Sequence, residues 1–215
     1  WMPNNHHQQE HEIEDSREMA LSYLESLSLG QIDSDMAATF VDRGPEMLEW
    51  VEKDTPCSFH VVEGYSDYHP EHPGGLPSGG RSLDNALFPL SELGEWAKKI
   101  RNDGMRSPVM ITETPLGGAT TPPSREVMSA RTERNESGMG LALVAALLKG
   151  VLDRGIQPQT ESRALRLLKD GNGICGVSIK FGDSEKEVIA RKGVIIATGG
   201  FEWNPELVRT FLRGP

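Results

Sequence analysis

Cysteine is scarce in this 215-residue sequence, which contains only Cys57 and Cys175. The two lie far apart, and neither has a second Cys close by, so the pattern does not indicate a zinc site built on paired cysteines. Neither lies beside a basic residue, which argues against a nucleophilic cysteine. We therefore expect reduced thiols in a cytoplasmic protein, with a secreted protein carrying one long-range disulfide as the alternative.

Long apolar runs are also missing. No stretch approaches the roughly 20 residues that a helix needs to cross a bilayer, which excludes a transmembrane helix. Basic clusters are missing as well, since the 22 Lys and Arg residues are scattered and the formal net charge is −10. A nucleic-acid surface needs clustered positive charge to displace counterions, so we expect no nucleic-acid partner.

Signature motifs of several enzyme classes are absent too. The sequence has no Gly-x-Ser-x-Gly nucleophile turn and no Walker A loop. His69 and His72 lie three residues apart, but neighbouring prolines prevent a regular helix from aligning their rings, and three more of the six histidines lie in a polar leader. We therefore predict no metal ligand. The first residue is Trp1 instead of Met, which indicates a processed protein or a piece of a longer one.

What is present begins with a helical pattern. Apolar residues recur on one face from Ala20 to Leu27, and Asp15 or Ser16 is the predicted N-cap. A second helical run covers residues 36–51, and Pro45 is predicted to divide it into two helices because proline lacks the backbone N–H.

The middle of the chain, from Glu63 to Asn135, shows little periodicity and much Gly and Pro. The β-rich stretch before it, residues 57–62, predicts a short strand. One short helix is predicted over Ser91–Arg101. Residues 112–129 are the candidate for a disordered or lid-like segment, because long loops in compact domains are usually functional or mobile.

The last third of the chain is the most regular. An apolar face over residues 141–152 predicts a helix, and two strands joined by Asp170-Gly171-Asn172-Gly173 predict a β-hairpin. A further strand follows over 187–190. The apolar run Val194–Ala197 predicts a strand buried on both faces, and Asn204 is the predicted cap of a last helix. The order of these elements favours an α/β fold.

The turn that follows the predicted buried strand carries the main functional signal. Thr198, Gly199 and Gly200 end the strand without bulky side chains, which lets a ligand approach the backbone. Together with the preceding helix and hairpin, the segment Gly138–Arg209 resembles the part of FAD-dependent fumarate reductases and 3-ketosteroid Δ1-dehydrogenases that completes their FAD-binding domain. An ordinary strand-to-loop turn is the alternative.

This resemblance implies a Rossmann-like FAD-binding domain of which the chain holds an internal part, without the N-terminal βαβ unit and without the cap domain. It implies FAD as the cofactor of the full-length protein. Backbone groups around Ala164 would meet the adenine, and the turn formed by Ala197, Thr198, Gly199 and Gly200 would approach the dinucleotide. Residues 1–135 would form a helical, loop-rich part with one wall of the substrate site, and residues 136–215 would complete the FAD-binding domain.

The front half of the chain resembles the 3-ketosteroid dehydrogenases more specifically. Trp1-Met2-Pro3-Asn4-Asn5 resembles the segment beside the flavin, and Tyr65-Ser66-Asp67-Tyr68 followed by Gly79-Gly80-Arg81-Ser82 resembles their aromatic-x-Asp-Tyr and Gly-Arg-Ser pattern. The resemblance implies that Tyr68 lines the substrate site and assists a second tyrosine, outside this chain, in removing a proton. It makes Tyr65 and Arg81 candidate substrate-binding residues.

Chemistry limits what Tyr68 can do. A phenol has an ordinary pKa near 10, so it acts as a base or relay at neutral pH only where its anion is stabilised. The alternative is that Tyr65 and Tyr68 merely cover an edge of the core, as amphipathic aromatic residues often do.

The predicted function is that of an FAD-dependent dehydrogenase of a 3-ketosteroid or a similar carbonyl substrate, with α-proton removal assisted by Tyr68 and hydride transfer to flavin N5. Two alternatives stay open, a fumarate reductase-like flavoprotein and a non-catalytic module derived from a flavoprotein. The expected partners are a steroid-like small molecule and the remainder of the protein's own chain, without which FAD binding is predicted to be weak.

Overall fold

The computed structural model describes residues 1–102 and 107–212. It divides into two compact units, Trp1–Gln157 and Pro158–Pro215. Within these described ranges, the first unit contains five helices, several 3₁₀ turns and two small antiparallel sheets, and the second contains one three-stranded sheet and one helix. The predicted division near residue 135 concerns how the chain contributes to a larger FAD-binding domain, and it stays a prediction.

The helices and strands of the first unit follow one another closely. The helices are α1 (His7–Glu10), α2 (Arg17–Leu27), α3 (Ser34–Asp54), α4 (Arg125–Glu133) and α5 (Met139–Asp153). The strands are β1 (Phe59–Glu63), β2 (Gly79–Asn85), β3 (Phe88–Pro89) and β4 (Glu136–Ser137). Strand β1 pairs with β2, and β3 pairs with β4, both in antiparallel fashion.

The N-cap of α2 follows the sequence prediction. Ser16 has an extended backbone, and its hydroxyl accepts a hydrogen bond from the Met19 N–H, which satisfies one of the free donors at the helix start. Of the two predicted caps, Ser16 therefore serves α2, and the Asp15 side chain is available for another role.

Pro45 does not divide the second helical run, so that prediction is wrong. Helix α3 is continuous from Ser34 to Asp54 with Pro45 inside it. Val41 and Leu48, on either side of the proline, are both buried, and their shared burial holds the two halves in line. Core packing here outweighs the hydrogen bond that proline cannot make.

Helix α5 packs closely because its buried face is made of small residues. Ala142, Ala145 and Ala146 are almost fully buried against an apolar cluster that includes Phe88 and Leu93. Leu93 belongs to a 3₁₀ helix over Leu90–Lys98, where a regular helix was predicted, and left-handed backbone at Gly94 kinks it. Burial raises the pKa of the Cys57 thiol, which lies in the same cluster.

The segment predicted to be disordered or lid-like contains short regular elements in the structure, and a lid-like role for it stays a prediction. Two short 3₁₀ turns, Ile111–Glu113 and Pro115–Gly117, precede α4. The Arg131 guanidinium donates to the Glu113 carboxylate at 2.6 and 2.7 Å and to the Pro108 carbonyl at 2.9 Å. This ion pair ties α4 to the turns, and the Arg131 guanidinium holds the pKa of Glu113 below its usual range.

The second unit contains the predicted β-meander. Strands β5 (Ser162–Asp170), β6 (Gly173–Phe181) and β7 (Ser184–Ile189) form an antiparallel sheet in the order β5-β6-β7. Helix α6 (Pro205–Phe211) follows, and the Asn204 side chain accepts hydrogen bonds from Glu206 and Leu207 N–H as its cap.

The expected buried strand Val194–Ala197 is where the structure differs most. These residues form no strand, and Ile195 is 95% exposed. A strand exists only beside a hydrogen-bonded neighbour, and the parallel neighbour that the prediction assumed was placed outside this chain. The apolar run is thus unpaired within the described residues.

No helix among the described residues is both long enough and apolar enough to span a bilayer. Cys57 and Cys175 are both free thiols.

Candidate functional site

An open groove of about 380 Å³ lies in the first unit, beside the predicted tyrosine pair. Its apolar walls come from the start of the chain, from α2 and from the loop after β1, and they include Trp1, Tyr23, Leu24, Leu27, Tyr65 and Tyr68. The remaining lining residues are Ser66, Asp67, His69 and Ser82. A second pocket of about 210 Å³ shares Trp1, Tyr65, Tyr68 and Ser82 with this groove.

The two tyrosines are hydrogen-bonded to each other. The Tyr65 hydroxyl donates to the Tyr68 hydroxyl at 3.4 Å, and the ring centroids lie 6.3 Å apart in an edge-on arrangement. The hydrogen bond to Tyr68 raises the pKa of Tyr65. Because the Tyr68 oxygen accepts, its own hydrogen is free to point elsewhere, and the Tyr68 side chain is 83% exposed.

Trp1 is held in place by Asp67. The Trp1 Nε1–H donates to Asp67 Oδ1 at 2.6 Å, and the indole stacks on Tyr23 and on Phe40. Asp67 directly precedes Tyr68, so one carboxylate fixes both an aromatic wall of the groove and the backbone from which Tyr68 projects.

Arg81 lies beneath this wall and is fully buried. Its guanidinium donates to Asp15 Oδ2 at 2.9 Å and to Asp67 Oδ2 at 2.8 Å, and both carboxylates are also nearly inaccessible. The same guanidinium lies 5.2 Å from the Trp1 ring centroid and 5.7 Å from that of Tyr23. Arg81 therefore has no exposed surface with which to meet a substrate, in contrast to its expected role.

Asp15 connects this ion cluster to the start of the chain. Burial alone would raise the pKa of its carboxyl, but hydrogen bonds from Arg81, the Asn4 N–H and the Gln8 side chain outweigh burial and lower it. Asp15 is thus ionised where it meets Arg81.

The sequence predicts Asp67 only as a member of the aromatic-x-Asp-Tyr motif and Asp15 only as a helix cap. The position of Asp67 between two tyrosines was the one local indication that its side chain lies at the site. No local pattern could reveal Asp15, because it lies 66 residues from Arg81 along the chain.

The predicted cofactor residues all lie in the second unit. Ala164 is exposed on β5, which is an edge strand of its sheet, and the register shifts just after it. Ala197, Thr198, Gly199 and Gly200 are exposed as well. Gly199 has a φ of +78°, and a Cβ added there would meet no heavy atom within 4 Å.

A family described as "FAD binding domain" matches residues 1–213. Because the match covers nearly all of the sequence, the chain belongs to this FAD-binding domain family.

Two curated relatives of this chain are dehydrogenases of cyclic ketones. The chain is 32% identical over 219 residues to a 4-oxocyclohexanecarboxylate 2-dehydrogenase of Sinomonas cyclohexanicum, a match that covers 99% of this chain and 37% of the relative. It is 30% identical over 240 residues to a 3-oxosteroid 1-dehydrogenase of Mycobacterium tuberculosis, with 100% and 42% covered.

A solved structure agrees with the sequence relatives. The crystal structure of 3-ketosteroid Δ1-dehydrogenase from Sterolibacterium denitrificans in complex with 1,4-androstadiene-3,17-dione matches with a TM-score of 0.82 and 25% identity. The match covers 100% of this chain and 42% of that one, so the chain spans about two fifths of the proteins it resembles. The predicted resemblance and the predicted α/β FAD-binding fold class are confirmed.

Family membership indicates FAD as the cofactor, and the residues present fit it. The Gly199 turn offers backbone with no side chain on its open side, which is the shape that a dinucleotide needs for close approach. The free edge of β5 at Ala164 offers backbone groups that no other described strand uses, as expected for contact with a base. Neither feature conflicts with a bound dinucleotide.

The pH dependence of stability provides a test of the Arg81 cluster. Because the pKa of Asp15 is lower in the folded protein than its ordinary value of 3.8, ionised Asp15 stabilises the fold above about pH 4. This contribution is lost as the pH falls through the lowered pKa. Asp15→Asn should cost about 2–3 kcal/mol at pH 7 and flatten the acid side of the stability profile. Urea unfolding between pH 2 and pH 7 measures both effects.

Asp42→Asn is the matched control, because Asp42 forms an exposed ion pair with Arg17 and its pKa is also lowered by that partner. Water screens such a pair, so the Asp42 variant should keep the wild-type profile. Equal profiles for the Asp15 variant and wild type would contradict a stabilising role for the buried cluster.

The glycine turn provides a second test. Gly199→Val places a branched side chain where the dinucleotide is expected, and FAD affinity should fall at least about tenfold, equivalent to ~1.4 kcal/mol. The measurement is the flavin-to-protein ratio of the purified full-length enzyme and its FAD titration. Gly182→Val is the control, because Gly182 also has a positive φ, of 59°, and open space around it. Retained flavin in the Gly199 variant would refute the assignment of this turn.

Proposed function

We propose that the full-length protein is an FAD-dependent dehydrogenase of a cyclic ketone of steroid size, and that this chain supplies part of its FAD-binding domain and one wall of its substrate site. The observation that carries the proposal is the apolar groove whose wall bears the hydrogen-bonded hydroxyls of Tyr65 and Tyr68. The similarity to 3-oxosteroid and oxocyclohexanecarboxylate dehydrogenases supports the same reaction class.

The proposed reaction removes two hydrogens from neighbouring carbons. The substrate carbonyl acidifies the adjacent C–H bond, so a tyrosine can take that hydrogen as a proton. FAD, when bound, accepts the other hydrogen as a hydride. Tyr68 is proposed to assist the proton transfer, with the primary base supplied by a tyrosine outside this chain.

The two tyrosines are proposed to have different roles, and the direction of their hydrogen bond supports the division. Tyr65 donates its hydrogen to Tyr68, and its raised pKa keeps it protonated. Tyr68 accepts that bond and has its own hydrogen free toward the open groove. Tyr68 is therefore the catalytic residue of the pair, and Tyr65 orients it while lining the groove.

Arg81 is proposed to act as a positioning residue. Its guanidinium donates its hydrogen bonds to Asp15 and Asp67. Asp67 in turn accepts the Trp1 indole N–H and directly precedes Tyr68. Substrate contact on this wall then comes from Tyr65, Trp1 and neighbouring apolar side chains. The cofactor contacts are proposed at Ala164, Ala197, Thr198, Gly199 and Gly200.

Charge in the groove favours a neutral substrate over a carboxylic acid. None of the described residues that line it is Arg or Lys, the His69 imidazole already faces the Glu71 carboxylate at 3.3 Å, and Asp67 adds a carboxylate. A small oxo acid would lose hydration of its carboxylate on this wall without gaining a cationic partner, whereas a steroid ring system presents only apolar surface and carbonyl groups. The same argument places a fumarate reductase-like activity second, since a dicarboxylate needs two such anchors.

The location of the protein is proposed to be the cytoplasm. Both thiols are free, which suits a reducing compartment.

Replacement of Tyr68 tests the mechanism. Tyr68→Phe keeps the ring and removes the hydroxyl, so turnover of a 3-ketosteroid should fall about 100-fold, the lower end of the range for one acid–base partner. Flavin content and unfolding midpoint should match wild type. Tyr65→Phe is the control and should lose less activity, because it removes only an orienting hydrogen bond. Normal turnover by the Tyr68 variant with full flavin would make Tyr68 a packing residue.

Paired substrates test the substrate class. The full-length enzyme should show a kcat/KM for a 3-ketosteroid more than about tenfold higher than for 4-oxocyclohexanecarboxylate, because the acid finds no cation on this wall. The methyl ester of the same acid separates charge from size, and it should be used better than the acid. Preference for the free acid over its ester would contradict the argument, and reduction of fumarate without ketone oxidation would reassign the activity.

A further inference from the structure

A second cluster of chemically capable side chains lies away from the residues that line the groove. His6, His7 and Glu52 bring two imidazoles and one carboxylate together, with one ligand atom from each within 4.8 Å of the others. We propose that these three residues form a binding site for a divalent transition-metal ion, for which Zn²⁺ is the natural probe. The sequence prediction contained no metal ligand, and neither the fold nor the proposed dehydrogenase reaction requires one.

The distances within the cluster are those of ligands around one ion. Nε2 of His6 and Nε2 of His7 each lie 3.0 Å from Glu52 Oε2. An ion bonded to a nitrogen and an oxygen at about 2.1 Å places those atoms about 3.0 Å apart at the right angle of an octahedral site and about 3.4 Å apart at the tetrahedral angle of zinc, so a shift of about 0.4 Å in the ligand atoms accommodates either geometry. Two imidazoles and a carboxylate are also a donor set that zinc and related ions favour.

Hydrogen bonds within the protein do not satisfy every ring nitrogen of this cluster. Nε2 of His6 and Nε2 of His7 share Glu52 Oε2, the His7 nitrogen also lies 3.0 Å from Oε1, and the imidazole centroids lie only 4.1 Å apart. Nδ1 of His6 is buried and has no hydrogen-bond partner among the described residues. A bound ion would give both Nε2 lone pairs and the shared carboxylate a common partner.

The local backbone fixes the ligands before any ion binds. His6 is the N-cap residue of α1 and His7 is its first residue, so their rings start from adjacent positions. The Phe59 N–H donates to Glu52 Oε1 at 2.9 Å, which orients the carboxylate in the way that outer hydrogen bonds orient metal ligands. The side chains of His6, His7 and Glu52 are 34%, 15% and 18% exposed, so an ion could enter and keep water in its open positions.

The position of the site suggests a structural role. His6 and His7 follow the segment that carries Trp1, and Glu52 lies in the last turn of α3. An ion bridging them would fasten the start of the chain to α3, in addition to the hydrogen bond from the Met2 N–H to the Arg81 carbonyl at 2.6 Å. It would thereby restrain the residue that forms one wall of the groove.

The experiment is metal binding by the full-length protein, purified without a histidine tag and stripped with a chelator. We expect one equivalent of Zn²⁺ to bind, and Co²⁺ at the same site to give a visible absorption band that Zn²⁺ abolishes. Zn²⁺ should also raise the unfolding midpoint, since an ion that binds only the folded state stabilises it. Flavin content and turnover are recorded separately, so failure of this site is distinguishable from failure of the proposed function.

Two ligand variants and one control decide the outcome. Glu52→Gln keeps an oxygen for the Phe59 N–H, and His7→Gln keeps a polar side chain, yet each should weaken Zn²⁺ binding at least about 100-fold, since removal of even an outer partner costs 10- to 100-fold. His72→Gln is the control, because His72 belongs to the other histidine cluster and already bonds the Ser26 hydroxyl. Absence of stoichiometric Zn²⁺ binding, or binding that the Glu52 and His7 variants keep, would overturn the proposal and leave an imidazole–carboxylate contact only.

Discussion

The buried guanidinium of Arg81 is the constraint around which the first unit is built. A buried charge is tolerated only where opposite charges and hydrogen bonds replace its lost hydration, and Arg81 obtains both from Asp15 and Asp67. These carboxylates come from the turn before α2 and from the loop after β1, so the ion cluster determines where both segments lie. Removal of Asp15 would leave the Nε and Nη2 donors of Arg81 without their partner, and removal of Asp67 would do the same to Nη1, so each acid satisfies donors that the other does not reach.

The ion cluster of Arg81, Asp15 and Asp67 positions the walls of the groove. Asp67 uses one oxygen for the Trp1 indole and the other for Arg81 and the Leu76 N–H. Trp1 then stacks on Tyr23, whose hydroxyl accepts the His69 N–H just beyond Tyr68. The backbone that carries Tyr68 is therefore held on both sides, although the Tyr68 ring itself is exposed. A fixed backbone beneath an exposed hydroxyl is the arrangement that pre-organised proton transfer needs.

Local sequence signals predicted the parts of the fold that local interactions determine. The β5–β6 hairpin follows from its Asp-Gly and Asn-Gly turn, α5 from its apolar face, and the caps at Ser16 and Asn204 from their side chains. Tertiary partners decided other parts. Core packing on both sides kept α3 continuous through Pro45, so the predicted break is wrong. An ion pair between Glu113 and Arg131 ties α4 to the turns before it, and Val194–Ala197 forms no strand among the described residues, since its parallel neighbour was predicted outside this chain. The site shows the same division, since the Tyr65–Tyr68 pair could be predicted from its spacing, whereas the burial of Arg81 depends on a carboxylate 66 residues away.

The contact between Arg81 and Asp15 also affects which substrates the groove can favour. An arginine beside a groove ordinarily offers the best available anchor for a carboxylate, because its fork matches both oxygens. Here Asp15 and Asp67 occupy that fork inside the fold, and the described lining of the groove consists of apolar side chains, hydroxyls, one acid and the His69 imidazole, which faces Glu71. A surface of this kind gains free energy mainly from burial of apolar area, which increases with the number of rings a ligand brings. An interaction that stabilises the fold thus also shifts the proposed substrate preference from small anionic ketones toward large neutral ones.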